Sequence, residues 1–282
     1  MIDTDEWLAA CRAATLRVRR SMSDARRSGS VGELVGTIGA GGDATLAVDA
    51  AAEAHIFDEL AGLERRGNRF IAVSEERGTV DFGGGGGSVV VAIDPIDGSL
   101  NARRMLVHHA VSIAVAEGPR MDDVILGYVF DLGTQEEFVG IAGGGAWLDG
   151  RRIPAHQAES RVGDGRLELL AVETSDARAL AAPFALAGDI ALKVRVLGSI
   201  AATACQLAVG RVDAMVNLTR CRAIDIAAAT TIARETGVLV AFPDDANPRL
   251  DLVHRSAFAA ARTEETLAEL LELIVGEQGE RA

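Results

Sequence analysis

Two aspartates, Asp94 and Asp97, follow a run of apolar and largely β-branched residues, Val89–Ile93. The run predicts a buried strand, and Pro95 and Gly98 predict a tight turn at its end, because proline lacks an amide donor and glycine tolerates unusual backbone angles. Two carboxylates on one side of such a turn repel each other unless a cation neutralises them, and Mg²⁺ prefers oxygen ligands. In isolation, the stretch is equally typical of an ordinary Asp-Pro turn.

Acidic residues also stand at the ends of other predicted elements. A second apolar run ends at Glu75 and Glu76, a predicted helix carries Asp49 one turn after Thr45, and a later helix has Asp225 in its first turn. Taken singly, such carboxylates are typical of strand ends, solvated helix faces and dipole-favoured helix starts. An α/β arrangement can nevertheless bring Glu75 and Asp225 into one crevice with the two aspartates of the first turn.

The composition limits the class of protein. The chain has 282 residues, 49% of them hydrophobic, and a formal net charge of −13, which predicts one large or two compact domains. The acidic balance argues against binding to nucleic acid or to an anionic membrane. Three widely spaced cysteines indicate neither a disulfide framework nor a zinc site. The lack of a signal peptide, and of any run of roughly 18 apolar residues, predicts a cytoplasmic protein.

The order of predicted elements indicates an α/β class. A helix over 5–27 is followed by a glycine-rich loop over 28–42 and a second helix, and strands are predicted at 110–116, 123–130 and 135–141. After a polar boundary at 156–166, strands (167–173, 193–197, 212–217, 237–241, 254–260) alternate with helices (176–187, 199–209, 223–236, 263–276). We therefore expect an N-terminal α+β domain, 1–155, with most of the metal ligands, and a C-terminal α/β domain, 156–282, that completes the site.

Several motifs in a fixed order carry a family resemblance. They are Gly42-Asp43-Ala44-Thr45, Ser74-Glu75-Glu76, Asp94 to Asn101, Gly140 to Arg152, Val194 to Gly198 leading on to Gly210 to Ala214, and Arg222 to Ala227. The chain resembles the lithium-sensitive phosphatase superfamily of inositol monophosphatases and fructose-1,6-bisphosphatases, and within it the archaeal-type dual-specificity enzymes. The resemblance implies an alternating α-β-α-β-α sandwich of the sugar phosphatase type. It also implies a Mg²⁺-dependent phosphatase of small phosphate esters that forms a homodimer or homotetramer.

The resemblance also assigns roles to individual residues. The implied metal ligands, for two or three Mg²⁺ ions or for Mn²⁺, are Glu75, Asp94, the Ile96 carbonyl, Asp97 and Asp225. The ions would clamp the phosphate and activate a water for in-line attack, and the implied groups that orient or deprotonate this water are Asp49, Thr45, Ser99 and Glu76. The implied substrate-binding residues are Gly98, Ser99, Arg195, Gly198 and Ser199. Loop 33–42 would admit or enclose the third ion.

Departures from the family pattern concern the substrate. Ile224 stands where inositol phosphatases often have tryptophan, and Leu218 falls near the usual position of a glutamate that binds inositol hydroxyls, whereas Ser99 keeps the hydroxyl of their threonine. These positions therefore leave open whether the enzyme selects inositol phosphates over sugar phosphates. Arg220 and Arg222 could pair with the second phosphate of fructose-1,6-bisphosphate, or form an ordinary basic loop.

Two alternative functions also fit the resemblance. A 3′(2′),5′-bisphosphate nucleotidase would need an apolar or aromatic slot for adenine, which the aromatic content of 4% disfavours. A non-catalytic regulatory relative would be expected to have lost acidic ligands, and the intact set disfavours it.

Overall fold

Two large sheets and the helices that cover them form the described part of this computed structural model, residues 2–280 except 41, 43, 85–87, 175, 181 and 182. The helices are α1 (Thr4–Ser28), α2 (Ala47–Arg65), α3 (Ser99–Arg104), α4 (Pro183–Ile190), α5 (Ile200–Ala208), α6 (Ala223–Arg234) and α7 (Glu264–Glu280). The strands are β1 (Leu34–Ile38), β2 (Ala44–Leu46), β3 (Phe70–Ser74), β4 (Gly78–Phe82), β5 (Val89–Asp97), β6 (Ala110–Ala116), β7 (Val124–Asp131), β8 (Glu136–Ile141), β9 (Gly145–Leu148), β10 (Arg151–Arg152), β11 (Leu167–Glu173), β12 (Ala191–Arg195), β13 (Ala214–Arg222), β14 (Leu239–Ala241) and β15 (Arg255–Ala261).

The two large sheets divide the chain between β10 and β11. The first has the order β10-β9-β8-β7-β6-β5-β3-β4 and the second β12-β11-β13-β15-β14. Among the described strands of the first sheet only β3 and β5 pair in parallel, so the carboxyl ends of these two strands lie side by side. In the second sheet β11 is parallel to both β12 and β13. The expected domain boundary at 156–166 falls between the sheets, and it stays a prediction.

Three apolar cores separate five layers. Helices α1 and α2 bury Trp7, Val18 and Ile56 against one face of the first sheet. The other face shares a core with α5, α6 and the second sheet, and α7 contributes to a third core behind that sheet. Helix α6 is buried from Ala223 to Ala233, as expected for a helix that is apolar on all sides. The layers confirm the expected α-β-α-β-α sandwich.

Three local predictions differ from the structure. The predicted loop 28–42 contains β1, which pairs with β2 as a small antiparallel hairpin, so Thr45 lies on a strand and α2 begins only at Ala47. Pro95 does not end β5, because pairing with β6 resumes at Asp97 after an irregularity that accommodates the missing amide. Strand β4 was not predicted, since it exposes Thr79 and Asp81 as an edge strand. No helix within the described residues has the length and apolar character needed to cross a bilayer.

Candidate functional site

Three carboxylates from different elements meet at one end of the first sheet. Glu75 follows β3, Asp94 lies in β5, and Asp225 belongs to the first turn of α6. Each offers an oxygen atom, and these atoms all lie within 4.8 Å of one another. Burial, followed by the charge of Glu75, raises the pKa of Asp94. Burial also raises the pKa of Asp225 to about 6, although the charge of Arg222 opposes this rise.

The guanidinium of Arg222 lies inside this acidic cluster. Its Nη2 is 2.6 Å from Glu75 Oε1, and its Nε donates to the two Asp225 oxygens at 3.1 and 3.2 Å. The side chain is 7% exposed, and its Nη1 is buried without a hydrogen-bond partner among the described residues. Arg222 was expected either to bind a second phosphate or to belong to a basic loop, whereas its guanidinium pairs with two of the expected metal ligands.

Asp97 lines the same pocket but faces the second half of the chain. Its carboxylate accepts hydrogen bonds from Ser199 Oγ at 2.5 Å and from the amides of Ala201 and Ile200 at 2.7 and 3.2 Å. Burial raises the pKa of Asp97 to about 7, and the Ser199 hydrogen bond opposes that rise. The acid thus lies at the amino end of α5, where unpaired helical amides favour negative charge.

Two glycine turns contact each other beside Asp97. Gly98 has φ +84°, and a Cβ atom added there would lie only 2.9 Å from the Gly198 carbonyl oxygen. The second turn is held by Glu173, whose carboxylate accepts from the Leu197 and Gly198 amides and from Thr203 Oγ1 at 2.7 Å. Glu173 was not predicted as a site residue, although it ends an apolar strand in the way that Glu75 follows one.

Asp49 approaches the cluster from α2. It is 4% exposed, and burial, followed by the charges of Glu76 and Glu75, raises its pKa to about 7. The nearby Ser99 hydroxyl has two acceptors within reach. One is the Ile96 carbonyl oxygen, at 2.9 Å. The other is the Asp49 carboxylate, whose pKa this hydrogen bond lowers. A carbonyl has two lone pairs, so the Ile96 oxygen keeps one for a cation.

Loop 33–42 reaches the turn that carries Glu75 and Glu76, since the Ala40 amide donates to the Glu76 carbonyl at 3.0 Å. Thr45 lies on β2, but its side chain falls outside the described residues. Arg195 does not join the site: it is absent from the residues that line the pocket, and its Nη1 donates to the Val194 carbonyl.

The donor set fits Mg²⁺. The three converging ligands are carboxylates, and one oxygen of Asp94 and one of Asp49 are buried without a hydrogen-bond donor among the described residues. A buried anionic oxygen without a partner is costly, and a hard cation satisfies it. The pocket beside these oxygens has a volume of ≈ 660 Å³. Arg220 and Arg255 also line this pocket, and Arg255 was not among the predicted site residues.

Comparison with known proteins agrees with this fold. Residues 3–276 match the model of the inositol monophosphatase family. The fructose-1,6-bisphosphatase/inositol-1-monophosphatase of Archaeoglobus fulgidus is 31% identical over 243 residues, which cover 84% of this chain and 86% of the relative. The Nus factor SuhB of Haemophilus influenzae is 30% identical over 230 residues, 80% of each chain.

A solved structure shows the same architecture. A hypothetical Pyrococcus horikoshii protein with similarities to inositol-1 monophosphatase superimposes with a TM-score of 0.79 at 25% identity, over 96% of this chain and 99% of that one. The chain belongs to the inositol monophosphatase family. It is a phosphatase, and dependence on Mg²⁺ is general in this family.

Proposed function

We propose that this chain hydrolyses phosphate monoesters of small sugars or inositols in a Mg²⁺-dependent reaction. The observation that carries the proposal is the meeting of Glu75, Asp94 and Asp225 with their ligand oxygens within 4.8 Å of one another. Together with the Ile96 carbonyl and Asp97, they would hold two or three Mg²⁺ ions, with Mn²⁺ as an alternative. When bound, the ions neutralise the phosphoryl oxygens and make a coordinated water more acidic.

Asp49 and its neighbours handle the proton of the attacking water. A general base works best when its pKa lies near the operating pH, and the pKa of Asp49 is raised to about 7. Ser99, Glu76 and Thr45 would orient this water beside Asp49. The amides of the two glycine turns, at Gly98 and at Gly198–Ser199, would hold phosphate oxygens, because backbone amides around such turns form anion sites.

The rim of the pocket supports a substrate with a second phosphate. Arg220 and Arg255 both line the pocket. Arg220 already pairs with Asp244 at 2.7 Å and remains more than half exposed in its side chain, so it can also reach a ligand. Fructose-1,6-bisphosphate, named in the Archaeoglobus relative's activity, has phosphates at both ends of one sugar. We therefore place its distal phosphate at these two arginines rather than at Arg222 or Arg195.

The alternatives receive less support. A nucleotidase would stack adenine on an aromatic or apolar wall, and the residues that line the pocket include no aromatic side chain. A purely regulatory role would be compatible with the relatives called Nus factors, but it would not require the buried acids around Asp94. We further propose that the protein is cytoplasmic, forms a homodimer or homotetramer, and does not bind nucleic acid, since its net charge is −13.

Phosphate release on a small panel tests the proposal. The panel contains fructose-1,6-bisphosphate, inositol-1-phosphate, glucose-1-phosphate and adenosine 3′,5′-bisphosphate, each with Mg²⁺ and with chelator. We expect chelator to abolish turnover and Asp94→Asn to lower it at least about a hundredfold, because the ions supply several kcal/mol of transition-state stabilisation. The control is Asp164→Asn, which removes an exposed acid paired with Arg166. Activity that survives chelation, or an Asp94→Asn variant with undiminished turnover, would overturn the proposal.

A further inference from the structure

Glu53 is a buried acid outside the set of residues that touch the substrate or a metal. It lies on α2, one helical turn after Asp49, and its side chain is 3% exposed. The sequence pattern is typical of a solvated carboxylate on a helix face, so its burial is unexpected. A buried carboxylate is tolerated only when charged or hydrogen-bonding partners surround it, and the partners of Glu53 therefore indicate its role.

Those partners flank the turn that carries the metal-ligand candidate Glu75. Glu53 Oε1 accepts hydrogen bonds from Ser74 Oγ at 2.5 Å and from the Arg77 amide at 3.0 Å. Glu53 Oε2 accepts from Arg77 Nε at 3.1 Å. Ser74 is the last residue of β3, and Arg77 immediately precedes β4. One carboxylate thus fixes both ends of the segment that presents Glu75 and Glu76.

Arg77 adds a second attachment to the same helix. Its guanidinium lies 4.6 Å from the centroid of the Phe57 ring, and Phe57 follows Glu53 by one turn of α2. The Phe57 ring and the Glu53 carboxylate therefore both contact the Arg77 guanidinium, and the cation–π contact adds to the ion pair. An ordinary ion pair between a helix and a sheet would need only the guanidinium. The bonds to the Ser74 hydroxyl and to the Arg77 main chain additionally set the backbone of the turn.

We propose that Glu53 is a positioning residue that fixes the distance between Asp49 and the Glu75–Glu76 turn. The inference rests on the proposed function, since it assigns Asp49 to the attacking water and Glu75 to the metal. Both groups depend on Glu53 through short covalent paths: Asp49 through one turn of helix, and Glu75 through the main chain of Ser74. Groups that orient metal ligands in this way commonly change metal affinity and activity when they are replaced.

Glu53→Gln is the test, because it keeps the size of the side chain and removes the charge and one acceptor. Magnesium binding is measured by calorimetry without substrate, and kcat, KM and the half-activating Mg²⁺ concentration are measured with the best ester of the panel. We expect Mg²⁺ affinity and kcat each to fall at least about tenfold while KM stays nearly constant. Ser74→Ala, which removes only one hydrogen bond, should shift the same quantities in the same direction by a smaller factor.

The matched control is Arg12→Gln, which removes another ion pair between a helix and the first sheet, Arg12 to Glu137, away from the pocket. It should lower the melting temperature without changing the Mg²⁺ dependence. If Glu53→Gln and Ser74→Ala behave like this control, Glu53 is a structural ion pair and the inference is wrong. An unmodified protein that neither binds Mg²⁺ nor releases phosphate would instead refute the proposed function, so the two failures are distinguishable.

Discussion

Helix α6 brings Asp225 to the site, and it packs so closely on the first sheet that the strand residues Gly127 and Gly140, which face it, have no room for a side chain. At Gly140 in β8, an added Cβ atom would lie 2.8 Å from Ile232 Cα and 2.9 Å from Ile232 N. Ordinary van der Waals contact begins at 3.4 Å, so Gly140→Ala requires a displacement of about 0.6 Å between strand and helix. The two nearest atoms belong to the main chain, so a change of side-chain rotamer cannot relieve these contacts.

Overpacking of this kind costs about 1–3 kcal/mol of unfolding free energy. For a chain of this size, each kcal/mol lowers the melting temperature by roughly 2–4 °C, and calorimetry or thermal circular dichroism measures the shift. Gly163→Ala is the control, because a Cβ atom at Gly163 meets nothing within 4 Å. That variant should melt at or slightly above the temperature of the unmodified protein. Equal melting temperatures for the two variants would refute the packing argument.

The remaining predictions concern pH and substrate choice. In chelator, the unfolding free energy should fall as the pH rises from about 4 to about 7, because buried Asp49 keeps a proton that the unfolded chain releases over this range. The pKa of Asp49 is raised to about 7. One such group lowers the unfolding free energy by at most about 1.4 kcal/mol per pH unit. Asp49→Asn should make the dependence of melting temperature on pH shallower, and identical slopes would contradict this assignment. Arg220→Ala combined with Arg255→Ala should raise KM for fructose-1,6-bisphosphate about tenfold or more while leaving KM for inositol-1-phosphate nearly unchanged. Parallel changes for both esters would exclude the distal phosphate site.

The α/β class and the acids at the ends of predicted elements follow from short-range patterns, whereas the order of the five layers was implied by the family resemblance. Apolar runs in the sequence predict β3 and β5. Glu75 directly follows β3 and Asp94 lies near the end of β5, so both acids are expected at strand ends. The parallel pairing of these strands then brings Glu75 close to Asp94. Asp225 begins a predicted helix, so the α/β arrangement could bring it to the same crevice, and the resemblance then implied its role as a metal ligand.

Side-chain directions and pairings between distant residues could not be predicted from the sequence. The guanidinium of Arg222 can reach the rim or the interior, and only the folded positions of Glu75 and Asp225 select the interior. The bond of Asp97 to Ser199 joins residues that are 102 positions apart. An acid on a helix, such as Glu53, is ordinarily solvated. Helical periodicity does not reveal that α2 is covered both by α1 and by the first sheet.

Helices α5 and α6 form the layer between the two large sheets, and their late position in the chain has a consequence for synthesis on the ribosome. All strands of the first sheet have been made by residue 152, but α5 and α6, which cover one of its faces, span 200–234. A nascent or truncated chain that stops between these points leaves that apolar face open to other molecules, which favours aggregation. For the same reason the acidic cluster cannot form with Glu75 and Asp94 alone, and it is complete only after Asp225 has been translated.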